Sequence, residues 1–354
     1  MNGAARFLAA CGCEATDATP VWFMRQAGGQ LPSYLALRER YSVMDIATTP
    51  ALCAEVSVAA VDALGVDGAV LYADIMLLVQ AMGVPVELTA SGPVIERPVR
   101  SIDAVDGLRV VDTRTDLGFV LQAIGLVRGE LAGRAAVIGI CGGPFTLGAY
   151  LVEGTPSRDQ LVARALIHRE PATWHALMER LTLATIDYAR AQVNAGADVV
   201  QVFDSWAASL TADEYRVHVA PWTRRILAAI AAAGVPSIHS VARSAPILDE
   251  IAAAGPSVIA IDSRQSLAAA RQHLGTGQAV QGNLDPALVL AGAANLRAGA
   301  RRVLDEVAGG IGHVFNTGEA LPRDADPAIL RDLVSFVHDQ PVLNGRPARE
   351  FLHV

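Results

Sequence analysis

Two residues sit in settings that ask for a chemical explanation. Asp74 follows Val70-Leu71-Tyr72-Ala73 and precedes Ile75-Met76-Leu77-Leu78-Val79. A carboxylate inside so apolar a stretch must be paired or in use, because burying it alone costs several kcal/mol. Either it caps the helix that follows, or it faces a cavity and receives N–H donors or a developing cation. Arg25 stands directly after Val21-Trp22-Phe23-Met24. Its planar fork of donors suits carboxylate recognition, or pairing with a structural aspartate. Further polar residues follow other apolar runs: Gly142-Gly143, Asp204-Ser205, Ser240 to Arg243, Asp262-Ser263-Arg264, Asn283-Leu284-Asp285 and Asn316 to Glu319. Each could cap a helix. Eight such ends in register with eight runs point to one polar mouth.

The elements that would hold these residues alternate along the chain. Strands are expected at Val21–Met24, Gly68–Ala73, Ala135–Ile140, Asp198–Phe203, Pro236–Ser240, Val258–Ile261, Gln278–Gln281 and His313–Phe315. Their nearly continuous Val and Ile content marks parallel strands covered on both faces. Helices are expected between them. Trp174–Asn194 ends at Gly196, Trp222–Ala233 opens after Pro221 and ends at Gly234, Ala245–Ala254 ends at Gly255, and Ala298–Val307 ends at Gly309. Glycine closes a helix in this way because it alone takes the left-handed conformation freely. Strand–helix–Gly–strand units imply right-handed parallel crossovers. Eight strands predict a single (β/α)8 TIM-type barrel spanning 1–354, with 1–19 as an N-terminal extension and 84–115 as a longer excursion. A doubly wound open sheet is the alternative. In a barrel the chemistry gathers at the C-terminal strand ends.

Composition narrows the chemistry. The chain has 354 residues, 52% hydrophobic and 18% charged, enough to fill a large core. A net charge of −8 argues against a nucleic-acid partner. There is no lysine, so Schiff-base catalysis, pyridoxal phosphate attachment and a P-loop lysine are excluded. Cys11, Cys13, Cys53 and Cys141 do not form a disulfide framework or a zinc pair, which fits a reducing cytoplasm. Residues 1–19 lack a signal-peptide pattern, and no charge-free apolar window is long enough to cross a membrane. His239 reads as a satisfied core histidine rather than a metal ligand, since no second ligand stands at the right spacing. Gly142-Gly143 lacks the rest of a dinucleotide fingerprint. No metal and no organic cofactor are expected.

The longer motifs resemble the uroporphyrinogen decarboxylase family. Pro20-Val-Trp-Phe-Met-Arg25-Gln-Ala-Gly28 with Leu31-Pro32-Ser-Tyr34 is similar to its N-terminal signature, and Tyr72-Ala-Asp74-Ile75 to its catalytic aspartate segment. Gly142 to Gly154, Gln201 to Ala207, Gln281 to Pro286 and Phe315 to Gly318 follow in order. The resemblance implies a (β/α)8 barrel, usually a homodimer, that decarboxylates the four acetates of uroporphyrinogen III to give coproporphyrinogen III in haem biosynthesis. By position, it implies that Asp74 accepts the pyrrole N–H groups and stabilises the protonated ring. It implies that Arg25 binds a carboxylate and assists proton delivery. Gln26, Ala27 and Gly28 through their backbone, with Tyr150 and Ser205, would bind the tetrapyrrole.

Two positions depart from the family. Gly29 stands where the family has arginine, and Glu319 where it has histidine. A carboxylate about 4 Å from a substrate carboxylate costs on the order of 1–4 kcal/mol. Either a nearby arginine neutralises Glu319, with Arg243 and Arg264 as candidates, or the substrate differs. Other readings are therefore a paralogue acting on another pyrrolic or aromatic acid, a non-catalytic tetrapyrrole-binding protein, and a cobalamin-linked methyltransferase on the same barrel.

Overall fold

Short apolar runs that alternate with amphipathic helices can bury both faces only by pairing in parallel beneath a helical layer. The computed structural model, which describes residues 1–29, 31–89, 92–275, 277–307 and 311–342, has that α/β arrangement. Its strands are β1 (Gly68–Val70), β2 (Glu87–Thr89), β3 (Gly92–Val94), β4 (Ala136–Gly142), β5 (Val199–Phe203), β6 (Ser237–Ser240), β7 (Val258–Ala260), β8 (Ala279–Gln281) and β9 (His313–Val314). Seven of them make one parallel sheet in the order β1-β4-β5-β6-β7-β8-β9. Seven of the eight expected strands are thus present, mostly shorter than the apolar runs that carry them. Gly68–Ala73 pairs only as far as Val70.

The eighth, Val21–Met24, is not a strand. It contributes one parallel bridge, Val21 to Phe315. The N–H of Trp22 donates to Phe315 O at 3.2 Å, and that of Phe315 to Pro20 O at 2.8 Å. On its other side the Asp67 N–H donates to Val21 O at 2.8 Å. One short segment therefore touches the flanks of both outermost strands, β9 and β1, and the sheet is curled. Pairing stops there for local reasons: Pro20 has no N–H to give, and Arg25 at φ 65° turns the chain away.

The helices are longer or more broken than expected. The helix expected over 174–194 runs Pro171–Ala195, with proline in its first turn. Ala220–Ala232 replaces Trp222–Ala233. The stretch 245–254 divides into a 3-10 turn, Ala245–Ile247, and a helix, Leu248–Ala253. The last expected helix starts earlier, at Ala293, and ends at Glu306; Gly309 lies outside the described residues. The excursion over 84–115 holds the antiparallel β2–β3 pair and short helices at Ile102–Asp106 and Thr113–Asp116. Residues 1–19 are packed into the fold. Their helix Gly3–Cys11 buries Phe7, Ala9, Ala10 and Cys11. Among the described residues no helix is long and apolar enough to cross a membrane.

Strand register separates the two faces of the sheet. Phe203, Ser240, Ala260 and Gln281 are aligned on β5 to β8, and three of them line an internal cavity. Cys141, Val202, His239, Ile259 and Val280 align on the opposite face. There Gln192, on the helix Pro171–Ala195, reaches the Cys141 sulfur at 3.3 Å. His239 thus lies between sheet and helices, away from the cavity.

At the foot of β1 a buried carboxylate gathers three elements. Asp67 Oδ1 accepts from Arg6 Nη1 at 2.6 Å, and Oδ2 from the Val21 N–H at 2.8 Å. His338 Nε2 is also 2.8 Å from Oδ2. Asp67 is 2% exposed, so removing it leaves the buried Val21 N–H and the His338 ring without their acceptor, while Arg6 keeps Asp17. Asp67→Ala should lower unfolding free energy in urea by about 2 kcal/mol. Asp62→Ala, which breaks an exposed pair with Arg134, should cost under about 1 kcal/mol. Equal losses for the two variants would contradict a structural role for Asp67.

Candidate functional site

Asp74 stands just beyond β1, where the chain turns into the helix Met76–Ala81. Its Oδ1 accepts the Met76 N–H at 2.8 Å, so it does cap that helix. Among the described residues its other oxygen has no hydrogen-bond partner, and the carboxylate forms no ion pair. One residue therefore fulfils the structural expectation and keeps an acceptor in reserve. Burial pushes its pKa up, while the Met76 N–H and the charge of Arg25 pull it back.

Arg25 is exposed and lies near enough to act electrostatically on both Asp74 and Tyr150. Its backbone is left-handed at φ 65°. For a residue with a Cβ such a conformation costs about 1 kcal/mol or more, and persists where the surroundings impose it. Arg243, also exposed, has the same distortion at φ 59°. Among the described residues neither arginine forms an ion pair.

Tyr150 lies on the helix Pro144–Glu153. Burial raises its hydroxyl pKa to about 12, with Asp74 adding to the shift and Arg25 opposing it. Its ring packs on Trp206 at a centroid distance of 4.1 Å. Trp206 is held in turn, since its N–H donates to Thr146 Oγ1 at 3.1 Å. The Thr146 N–H donates to Asp204 Oδ1 at 2.7 Å. The chain Asp204–Thr146–Trp206 thus fixes the plane on which Tyr150 rests. It depends on a close approach at Gly143, where a Cβ would lie 2.3 Å from the Asp204 Cβ. In the sequence Trp206 stands within the Gln201 to Ala207 motif, with nothing there to give it this role.

The N-terminal motif divides its duties. Gln26 is wholly buried, and its side chain joins the Phe23 N–H to the Gly68 carbonyl, at 2.8 and 2.7 Å. Its backbone N–H donates to Phe23 O at 3.1 Å, which leaves Gln26 a brace between the 20–23 segment and β1. Ala27 is half-buried. Gly28, at φ 146°, has the Tyr72 ring 3.8 Å from where a Cβ would be. Tyr72 and Tyr34 share a hydrogen bond of 2.9 Å between their hydroxyls. Gly29 is exposed, and among the described residues nothing lies within 4 Å of where a Cβ would be. No steric demand accounts for glycine there.

A cavity of about 150 Å³ opens past Met24, at the C-terminal ends of β6, β7 and β8. Met24, Ser205, Ser240, Asp262, Gln281 and Glu319 are among its lining residues; Asp74 and Tyr150 are not. Asp262 is committed to the backbone, accepting the N–H groups of Ser244 and Arg264. Glu319 forms an ion pair with Arg264. The close passage of Gly318, whose Cβ would sit 2.2 Å from the Ser263 N, brings these two loops together. Of the two arginines considered for neutralising Glu319, Arg264 does so and Arg243 does not.

His239 is fully buried as expected of a core histidine, but it is not satisfied. Among the described residues neither ring nitrogen has a hydrogen-bond partner, and burial pushes its pKa down to about 4. Among the described residues no group of three or more His, Cys, Asp or Glu is arranged to hold a metal ion.

The chain resembles known proteins over nearly its whole length. It matches the family model described as uroporphyrinogen decarboxylase over residues 2–340. It is 44% identical over 332 residues to the uroporphyrinogen decarboxylase of Syntrophotalea carbinolica, covering 94% of this chain and 96% of that protein. The protein of the same name from Sorangium cellulosum is 43% identical over 347 residues, covering 97% and 99%. A solved methyltransferase from Methanosarcina mazei superimposes with a TM-score of 0.80 at 21% identity, covering 95% of this chain and 98% of the other. At that identity the likeness concerns the fold alone.

The Asp204 brace carries a pH signature. Burial raises its pKa to about 6 from an ordinary 3.8. A raised folded-state pKa means that its contribution to stability is present below about pH 4 and lost as pH rises through about 6. Asp204→Asn keeps the acceptor for Thr146 and removes the buried charge. Relative to the variant, the wild type should lose on the order of 3 kcal/mol between pH 4 and 6.5 in urea unfolding. Parallel stability curves across that window would contradict the assignment.

Proposed function

The chain belongs to the uroporphyrinogen decarboxylase family, and we propose that it converts uroporphyrinogen III to coproporphyrinogen III by removing the four acetate carboxyls as CO2. The observation that carries this reading is the divided role of Asp74, with one oxygen fixed on Met76 and the other open beside Arg25 and Tyr150.

Loss of CO2 from a pyrrole acetate leaves an electron pair that needs a sink. Protonation of the ring carbon provides one, because the cationic ring accepts the pair as the C–C bond breaks. A second proton then goes to the resulting methylene carbon, and the ring returns its first. Net, one proton replaces one CO2. The open oxygen of Asp74 accepts ring N–H groups and faces the cation as it forms, a preorganised interaction of the kind often worth several kcal/mol. Arg25 binds a substrate carboxylate and assists proton delivery. Ala27 and Gly28 offer backbone groups, and Tyr150 and Ser205 offer hydroxyls. Such chemistry asks for protonation and charge stabilisation, for which these side chains suffice.

The reading extends to the assembly. The sheet, together with the bridge at Val21, supports a single closed (β/α)8 barrel domain. Four free cysteines fit a reducing cytoplasm. The helix Pro32–Arg38 buries none of its residues. Leu35 on it and Val43 just beyond are exposed apolar side chains that suit a homodimer contact. A second reading, decarboxylation of a less carboxylated pyrrolic acid, draws on Gly29 and Glu319. The Arg264–Glu319 pair weakens it by offsetting the added negative charge.

Wild-type protein given uroporphyrinogen III under anaerobic, reducing conditions should release products with seven, six, five and finally four carboxylates. Well-folded protein that forms none of them would overturn this reading in favour of another acid or a binding role. Light scattering on the same sample should give twice the chain mass.

A further inference from the structure

The pair that neutralises Glu319 also spends an arginine. Glu319 lines the cavity, and its carboxylate binds Arg264 Nη1 on the rim. Both side chains are partly exposed, Arg264 at 53% and Glu319 at 33%, so substrate and solvent can reach them. Two further carboxylates act on the same guanidinium, Asp262 and Asp285. Along this edge of the mouth one carboxylate therefore contacts Arg264 and two more lie near enough to act on its charge. The edge carrying Arg25 is built otherwise: a single partly buried carboxylate, Asp74, stands near an arginine that among the described residues has no ion pair. The two sides of the mouth consequently differ in charge balance: even with Arg243 standing just beyond β6, carboxylates outnumber arginines on the Glu319 side, whereas Arg25 meets a single one. A ligand rich in carboxylates lowers its energy by directing them toward Arg25 and leaving its less charged side against Glu319.

We propose that the Arg264–Glu319 pair is a specificity device, in which Glu319 withholds Arg264 from substrate carboxylates and makes its edge of the mouth prefer the part of the ring that carries fewest of them. The inference rests on the tetrapyrrole reading above and goes beyond it by naming what grades ligands by carboxylate number. Within the proposed reaction the substrate loses one carboxylate at each step. An edge that disfavours carboxylates holds partly processed rings more readily than the starting one. Freed from Glu319, Arg264 would turn its fork of donors to a substrate carboxylate, a geometry it matches well.

The test uses uroporphyrin III and coproporphyrin III, with eight and four carboxylates, as non-turning-over probes. Their Kd values are read by quenching of tryptophan fluorescence. In Glu319→Gln the preference should move toward uroporphyrin by about fivefold, the scale of one screened charge contact at a half-exposed site. Arg264→Gln leaves Glu319 unpaired and should move it toward coproporphyrin by a similar factor. The double variant should fall between the two. Wild-type thermal midpoints in all three variants would separate selectivity from folding. A ratio unchanged within about twofold in Glu319→Gln, or one moved toward coproporphyrin, overturns the inference while leaving the reaction assignment intact. Wild-type protein that binds neither porphyrin overturns both.

Discussion

The buried carboxylate of Asp67 sets the register on which the site depends. It receives the Val21 N–H on one oxygen and Arg6 on the other, while its own N–H donates to Val21 O. Val21 opens the segment that ends in Arg25, and Asp67 opens the strand that leads to Asp74. These two stretches are distant in sequence, and neither pairs with the other as a regular strand. A desolvated carboxylate with fixed donors tolerates little displacement, because any slip leaves charges or N–H groups unpaired. Gln26 adds a second brace between the same stretches, from Phe23 to Gly68. The juxtaposition of Arg25 with Asp74 thus follows from polar contacts beneath it more than from sheet pairing.

Above that base, the mouth is organised by charge. The chain as a whole is acidic, yet its proposed substrate is a polyanion. The contradiction is resolved locally. Arg25 follows the segment bridged at Val21 and Arg243 follows β6, both in left-handed backbone conformations that cost free energy. Many of the other arginines are tied to carboxylates at the surface, Arg264 among them. What distinguishes the mouth is the freedom of a few cations and the open oxygen of Asp74.

Much of this was legible in the sequence, and the exceptions have physical causes. The sheet strands announced themselves because parallel strands buried on both faces must be apolar throughout. Val21–Met24 carried the same signal but formed only a bridge, since apolarity does not report a missing proline N–H or a left-handed turn at Arg25. Asp74 was legible as a buried carboxylate with two possible roles; it takes the capping one on Met76 and keeps its second oxygen open. The choice between Arg243 and Arg264 as partner of Glu319 was not legible. It depends on how closely two rim loops pass at Gly318, a tertiary distance with no local pattern. Trp206 and the Asp204 brace were hidden for the same reason. His239 misled in one respect, because burial predicts a partnered imidazole and the described residues give it none.

The central claim is that the open oxygen of Asp74 stabilises the cationic ring during loss of CO2. The most direct measurement is single-turnover decarboxylation of uroporphyrinogen III by Asp74→Asn against wild type, with uroporphyrin binding measured in parallel. The account predicts a rate loss of at least about a hundredfold, the scale seen when one preorganised electrostatic group is removed. Binding should weaken far less. A variant that decarboxylates within a few-fold of wild type would contradict it.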